Sequence, residues 1–284
     1  MSSDLVTALL GLASAAAWGA GDFSGGLAAR RSPLLGVLAL GQGAGVVLIA
    51  LLGMARREAA PSAASLGWAL AAGAAAAVGL AALYRGLAIG RMAVVAPISA
   101  VLSAALPVAW GVLSEGLPPA TRLAGFALAL GGIWLVGRSG EPGQPGAGRE
   151  GLLLALVAGT CFGAFLILMH LCAEGGTFWP LAMARGTAFL LVLGVALSRG
   201  GTSTWVPARA ALPLVLLSGA LDAGGNALFV LASQAGRLDV AAVTSSMYPA
   251  STVVLAAALL RERVSRPQGF GIAAVLGAIA LIAG

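Results

Sequence analysis

Five ionisable side chains lie inside long apolar stretches of this 284-residue chain: Asp22, Arg85, His170, Arg185 and Asp222. A charge at the centre of a lipid-crossing helix costs roughly 2.5–3.5 kcal/mol, so such residues mark solute paths, proton relays or internal ion pairs. Arginine can hold a carboxylate or phosphate in bidentate fashion. Aspartate can hold an amine or carry a proton. Asp222 and Asn226 are four residues apart and share a helix face, as do Trp18 and Asp22. A cavity lined by Gln42, Arg185, Asp222 and Asn226 would suit a zwitterionic or polar solute. The plainer reading is that Arg185 and Asp222 neutralise each other and tie two helices together; both readings stay open. Arg85 is near a helix end and can snorkel to the interface. His170, the single histidine, sits where an interfacial histidine would.

Uncharged residues complete the set. Trp18, Tyr84, Trp110 and Tyr248 could wall a solute, although aromatic side chains also anchor helices at the membrane interface. Pro97, Pro107 and Pro249 fall within apolar stretches, where proline breaks or bends a helix and frees carbonyls. Tyr248-Pro249 follows Thr244-Ser245-Ser246, which makes Pro249 the best hinge. The predicted solute contacts are therefore Trp18, Asp22, Gln42, Tyr84, Arg185, Asp222, Asn226, Ser245 and Tyr248. Asp22 and Asp222 are the predicted proton carriers.

Other chemistry lacks its residues. No glycine-rich phosphate loop ending in Lys-Ser/Thr is present, which argues against direct ATP use. One histidine, two distant cysteines and no HExxH argue against a metal site. No serine–histidine–aspartate constellation is visible, so neither an enzyme nor a cofactor is expected. Cys161 and Cys172 are roughly 16 Å apart on one helix, too far for a disulfide.

The elements that must position these residues follow from composition. Hydrophobic residues make up 60% of the chain, charged residues only 9%, and mean hydropathy is +0.99. A soluble domain carries roughly 25% charged residues, so the apolar surplus must face lipid. All sixteen basic residues are arginine, mostly scattered singly between apolar stretches, with no basic stripe to follow nucleic acid. Apolar stretches fall near 5–28, 34–54, 66–88, 92–113, 121–138, 151–171, 177–198, 210–233, 240–260 and 267–284. At about 20 residues per crossing they predict ten transmembrane helices in an all-α integral membrane protein. The first stretch lacks a basic n-region and reads as a retained helix, not a cleaved leader.

The break at 139–150, rich in proline and glycine, reads as a linker between halves 1–138 and 151–284. Gly90-Arg91-Met92 opens one apolar stretch and Gly236-Arg237-Leu238 its counterpart, which end at Glu115 and Glu262. Gln42-Gly43 likewise matches Arg185-Gly186. Five helices per half is odd, so the second copy must enter from the opposite face, giving two inverted five-helix repeats. Glycine pairs four apart, such as Gly41/Gly45 and Gly159/Gly163, predict close helix packing and leave monomer and homodimer both open.

Ser245-Ser246-Met247-Tyr248-Pro249, then Arg261-Glu262-Arg263-Val264-Ser265-Arg266-Pro267-Gln268 and Gly271, resembles the signature of EamA-type carriers in the drug/metabolite transporter superfamily. Arg261 stands where glycine is frequent in the family. Glu115 aligns with Glu262 in a weaker first copy, where Leu102 replaces the proline. Ala17-Trp18-Gly19 resembles the first-helix motif, and Trp179-Pro180 to Arg185 that of the seventh. The resemblance implies a secondary transporter moving a small polar or amphipathic metabolite across the inner cell membrane by alternating access, as exporter or exchanger. Its implied partners are that solute, membrane lipids and protons. A flippase for a lipid-linked sugar or phosphate and an intramembrane transferase are the alternatives.

Orientation is contested. Arg56, Arg57, Arg122 and Arg237 share the face of the termini, and ten arginines lie on the other. The positive-inside rule therefore puts the termini outside, whereas the resemblance implies a cytoplasmic location.

Overall fold

The computed structural model describes residues 3–29, 32–89, 92–137, 149–172, 176–198, 206–260 and 265–283. Among them the chain forms eleven α-helices and no strand. The first half contributes α1 (Ser3–Ala29), α2 (Leu34–Ala55), α3 (Ala63–Ile89), α4 (Met92–Glu115) and α5 (Ala120–Gly137). The second contributes α6 (Arg149–Leu171), α7 (Phe178–Ser198), α8 (Leu212–Ala235), α9 (Leu238–Ser245), α10 (Tyr248–Leu260) and α11 (Arg266–Ala283). A helix satisfies its own backbone hydrogen bonds, the condition that lipid imposes on any crossing segment. Eight segments are long and apolar enough to cross a membrane, with α9 and α10 together making one of them. The apolar helix at Ala120–Val136 is shorter. Of the predicted linker, 139–148 lies outside the described residues.

Polarity is arranged inside out. Leu113, Leu190, Leu259 and Phe270 present large apolar side chains outward, while Arg185, Asn226 and Asp239 are buried. That distribution suits lipid around the bundle, not water.

Helix pairing alternates between the halves. Within the bundle α1 runs along α8 and α6 along α3; α2 packs on α8 and α7 on α3. Likewise α1 lies against α9 and α10, and α6 against α4, while α2 meets α7 and α5 meets α11. Glycine makes several of these seams. A Cβ on Gly219 would run into the Gly41 carbonyl, and one on Gly73 into the Ala184 carbonyl. A Cβ on Gly132 would stand 2.8 Å from the Gly271 carbonyl oxygen, and one on Gly271 2.7 Å from that of Gly132. With no hydrophobic drive between helices in lipid, such backbone approach is a main source of cohesion. Two hydroxyls add to the α1–α8 seam: Ser14 donates to the Gly225 carbonyl and Ser218 to the Gly21 carbonyl, each at 2.8 Å.

At the face where α1 begins, here the near face, polar groups knit the helix ends together. Arg122 pairs with Asp4 at 2.6 Å. The Glu58 carboxylate accepts the backbone N–H of Thr177, and those of Phe178 at 2.7 Å and Trp179 at 2.8 Å, capping α7 from the other half. Arg237 donates to Asp239 at 2.7 Å and to the Gly116 carbonyl at 2.7 Å, and pairs with Glu115 at 3.5 Å. Glu115 in turn accepts the Leu238 N–H at 3.0 Å, at the start of α9. Its pairing with an arginine is thus made across the two halves; Glu262 lies outside the described residues.

The predicted ninth crossing is interrupted. Helical geometry lapses at Ser246 and Met247, between α9 and α10. Met247 N–H turns back to the Thr244 carbonyl at 3.3 Å, a tighter turn than the α-helix makes. Pro249 is the second residue of α10, where a missing N–H leaves no helical bond unmade. The break therefore precedes the proline by two residues.

Candidate functional site

Near the middle of the bundle is a cavity of about 210 Å³ whose walls come from eight helices of both halves. Trp18 and Asp22 reach it from α1, Gln42 from α2, and Arg185 from α7. Asp222 and Asn226 reach it from α8, and Tyr248 from the start of α10. Seven of the nine predicted solute contacts thus surround one space. Ser245 does not: it is fully buried, its hydroxyl has no partner, and its neighbour Ser246 stands in the wall instead. The side chains of Tyr84, Arg85 and Pro97 lie outside the described residues. His170 does not line the cavity either. The remaining lining includes Leu80 and Leu83 of α3, Ser103 of α4, and Phe162, Phe165 and Leu166 of α6.

Arg185 is the most constrained group. Its side chain is 4% exposed and its Nη1 donates to Asp222 Oδ2 at 2.8 Å, while Nε and Nη2 have no hydrogen-bond partner among the described residues. Those two donors lie against α2, where a Cβ on Gly45 would stand 2.5 Å from Nε. Arg185 and Asp222 do tie α7 to α8, as the plainer reading of the sequence required. Asp222 nevertheless stays 41% exposed towards the cavity, so one carboxylate serves both as an ion-pair partner and as part of the wall.

Asp22 is placed by the α1–α8 seam. A Cβ on its neighbour Gly21 would lie 3.3 Å from the Asp222 amide nitrogen, so the two acidic residues stand on touching backbones. Asn226 is held by its own helix, donating to the Asp222 carbonyl at 2.9 Å. Gln42 Oε1 is buried with no partner among the described residues.

Trp18 is clamped by aromatic neighbours. It stacks on Phe229 at 6.2 Å between centroids and meets Tyr248 edge to face at 6.2 Å. Gly225 makes room for it, because a Cβ there would stand 2.5 Å from Trp18 Cδ1. Thr252 donates to the Gly19 carbonyl at 3.3 Å and so joins α10 to α1 beside the break. The arrangement offers two carboxylates, one guanidinium, two amides and an aromatic wall around one space.

Sequence reasoning had no means of finding Phe162, Phe165 and Leu166, since apolar residues in an apolar helix carry no local signal. Ser246 could have been found from its place at the helix break.

A solved crystal structure superposes on this chain with a TM-score of 0.77, covering 97% of this chain and 95% of its own at 18% identity, a likeness of fold. No curated protein sequence matches. Residues 149–284 match the EamA-like transporter family. That match, over a little under half of the chain, gives the second half its likeness to a family of transporters.

Proposed function

We propose that this protein is a secondary carrier of a small polar or amphipathic solute, bound at the central cavity and moved by alternating access. One observation carries the reading: ionisable residues from both halves, Asp22 on one and Arg185 and Asp222 on the other, line a single cavity in the middle of the bundle. Charge carried inside a membrane-crossing bundle is expensive unless it serves a solute or a proton.

Two inverted repeats of five crossings fit the helix pairing. Advancing each first-half helix to its counterpart turns the α1–α8 pair into α6–α3, α2–α8 into α7–α3, and α1–α9/α10 into α6–α4. The pairs α2–α7 and α5–α11 map onto themselves, as a twofold axis in the membrane plane would require. On this reading α9 and α10 form the ninth crossing and α11 the tenth. The near face, closed by the Arg237–Glu115–Asp239 cluster and the Glu58 cap, is the shut gate of this conformation, and the solute leaves towards the opposite face. The protein resides in the inner cell membrane, runs as exporter or exchanger, and couples to protons through Asp22 or Asp222.

Purified protein in liposomes should show counterflow: preloaded unlabelled solute drives transient uptake of the labelled form. A screen of amino acids, sugars and amines would identify the solute, and Asp22→Asn or Arg185→Gln should abolish it. Counterflow for none of them would refute the carrier. Activity confined to lipid-linked sugars or phosphates would instead favour the flippase.

A further inference from the structure

We propose that the cavity binds a monocationic organic amine in exchange for one proton, with Asp22 the carboxyl group for which the two compete. This inference rests on the carrier reading.

It follows from counting charge. The described charged residues lining the cavity are Asp22, Arg185 and Asp222. Arg185 and Asp222 cancel through their 2.8 Å ion pair. Asp22 is exposed and has no hydrogen bond or ion pair among the described residues. Among the described residues one negative charge therefore remains uncompensated in a space walled by apolar and aromatic side chains, a costly state. A proton or a bound cation relieves it.

The surroundings of Asp22 sharpen the point. From α8 the group facing it is Asp222, a like charge, brought close by the Gly21 seam. From α10 it is Tyr248. The charged residue of α9, Asp239, is engaged by Arg237 at the near face, and that of α11, Arg266, is exposed at its first turn. No residue of α2 is charged.

An acidic solute is disfavoured by the same geometry. The Nε–Nη2 edge of Arg185, which would grip a carboxylate in bidentate fashion, is pressed against Gly45 and buried. A primary ammonium needs neither. It donates hydrogen bonds to the Asp22 carboxylate, the Asp22 proton passes to water, and the net charge of the site is unchanged. The Trp18 and Tyr248 rings supply the faces on which a cation and its apolar body rest.

Four probes sharing one phenylethyl body separate the alternatives: phenethylamine, 2-phenylethanol, 3-phenylpropionate and phenylalanine. Equilibrium binding to detergent-purified protein and proton release into weakly buffered medium are read together. Phenethylamine alone is expected to bind, releasing about one proton per molecule at acidic pH, where affinity falls about tenfold for each unit that the pH is lowered. Asp22→Asn should weaken it roughly 30-fold or more and abolish the release; should that variant aggregate, Asp22→Glu must retain both. The proposal is overturned if phenylalanine or phenylpropionate binds as well as the amine, if the amine binds without proton release at every pH, or if no probe binds. Counterflow of a neutral or zwitterionic solute without proton movement would sink the monocation and leave the carrier standing.

Discussion

Gly45 of α2 leaves the space that the guanidinium of Arg185 fills: an ideal Cβ on that glycine would stand 2.5 Å from Nε and 2.8 Å from Cζ. A helix position without a side chain thus lets α7 bury its arginine against α2. Alanine at 45 would push the guanidinium off its 2.8 Å contact with Asp222. Glycine-to-alanine within a helix otherwise gains about 1 kcal/mol, while overpacking costs about 1–3 kcal/mol. Gly45→Ala is therefore expected to lower the counterflow rate at least tenfold with a small fall in Tm. An unchanged rate would show that Arg185 can do its work elsewhere.

The Arg185–Asp222 pair makes its own prediction. Removing one member of a buried pair costs roughly 3–5 kcal/mol, but Asp222 is 41% exposed, so screening brings the expectation nearer to about 2 kcal/mol. Arg185→Gln and Asp222→Asn should each destabilise by that order, and the double variant by less than their sum, with a coupling of about 1–2 kcal/mol. Unfolding in mixed micelles measures the cycle. Additive losses would mean that the two side chains do not support each other.

Much of this site was legible because lipid makes polar residues conspicuous. Asp22, Gln42, Arg185, Asp222 and Asn226 stand out against an apolar background, and all five line one cavity. The aromatic wall was half legible: Trp18 and Tyr248 carry a polar handle that draws attention, whereas Phe162 and Phe165 do not. Ser245 and Ser246 mark where local pattern gives out. Which of two adjacent serines faces a cavity depends on the helical phase, and here the phase is reset by the break between α9 and α10. The near-face network was least legible. Glu58 caps α7 across 120 residues of sequence, a relation fixed by tertiary packing and not by local pattern.

Opening of the near face should require Arg237 to release Glu115 and Asp239. All of α9 is buried beneath this cluster, Thr244 included. In a background with Cys161 and Cys172 replaced by serine, a cysteine at Thr244 should be alkylated slowly by a water-soluble maleimide. Glu115→Gln removes one anion from Arg237 and one acceptor from the first turn of α9. It is expected to raise the alkylation rate several-fold, as the population shifts by about 1 kcal/mol. An unaltered rate would mean that the cluster braces the fold and gates nothing.

If the halves are structural repeats, matching seams should fail alike. Gly73 meets the Ala184 carbonyl where α3 crosses α7, and Gly219 meets the Gly41 carbonyl where α8 crosses α2. Neither backbone can yield without parting two helices, so Gly73→Ala and Gly219→Ala should each cost about 1–3 kcal/mol. Gly186 and Gly224, with open space where a Cβ would lie, serve as controls, and alanine there should be neutral or stabilising by up to about 1 kcal/mol. Thermal unfolding of the four variants in one detergent makes the comparison. Equal losses at 73 and 219 would favour a common architecture for the two halves. A large loss at one seam with none at the other would show that the halves bear load differently, whatever their shared order of helices.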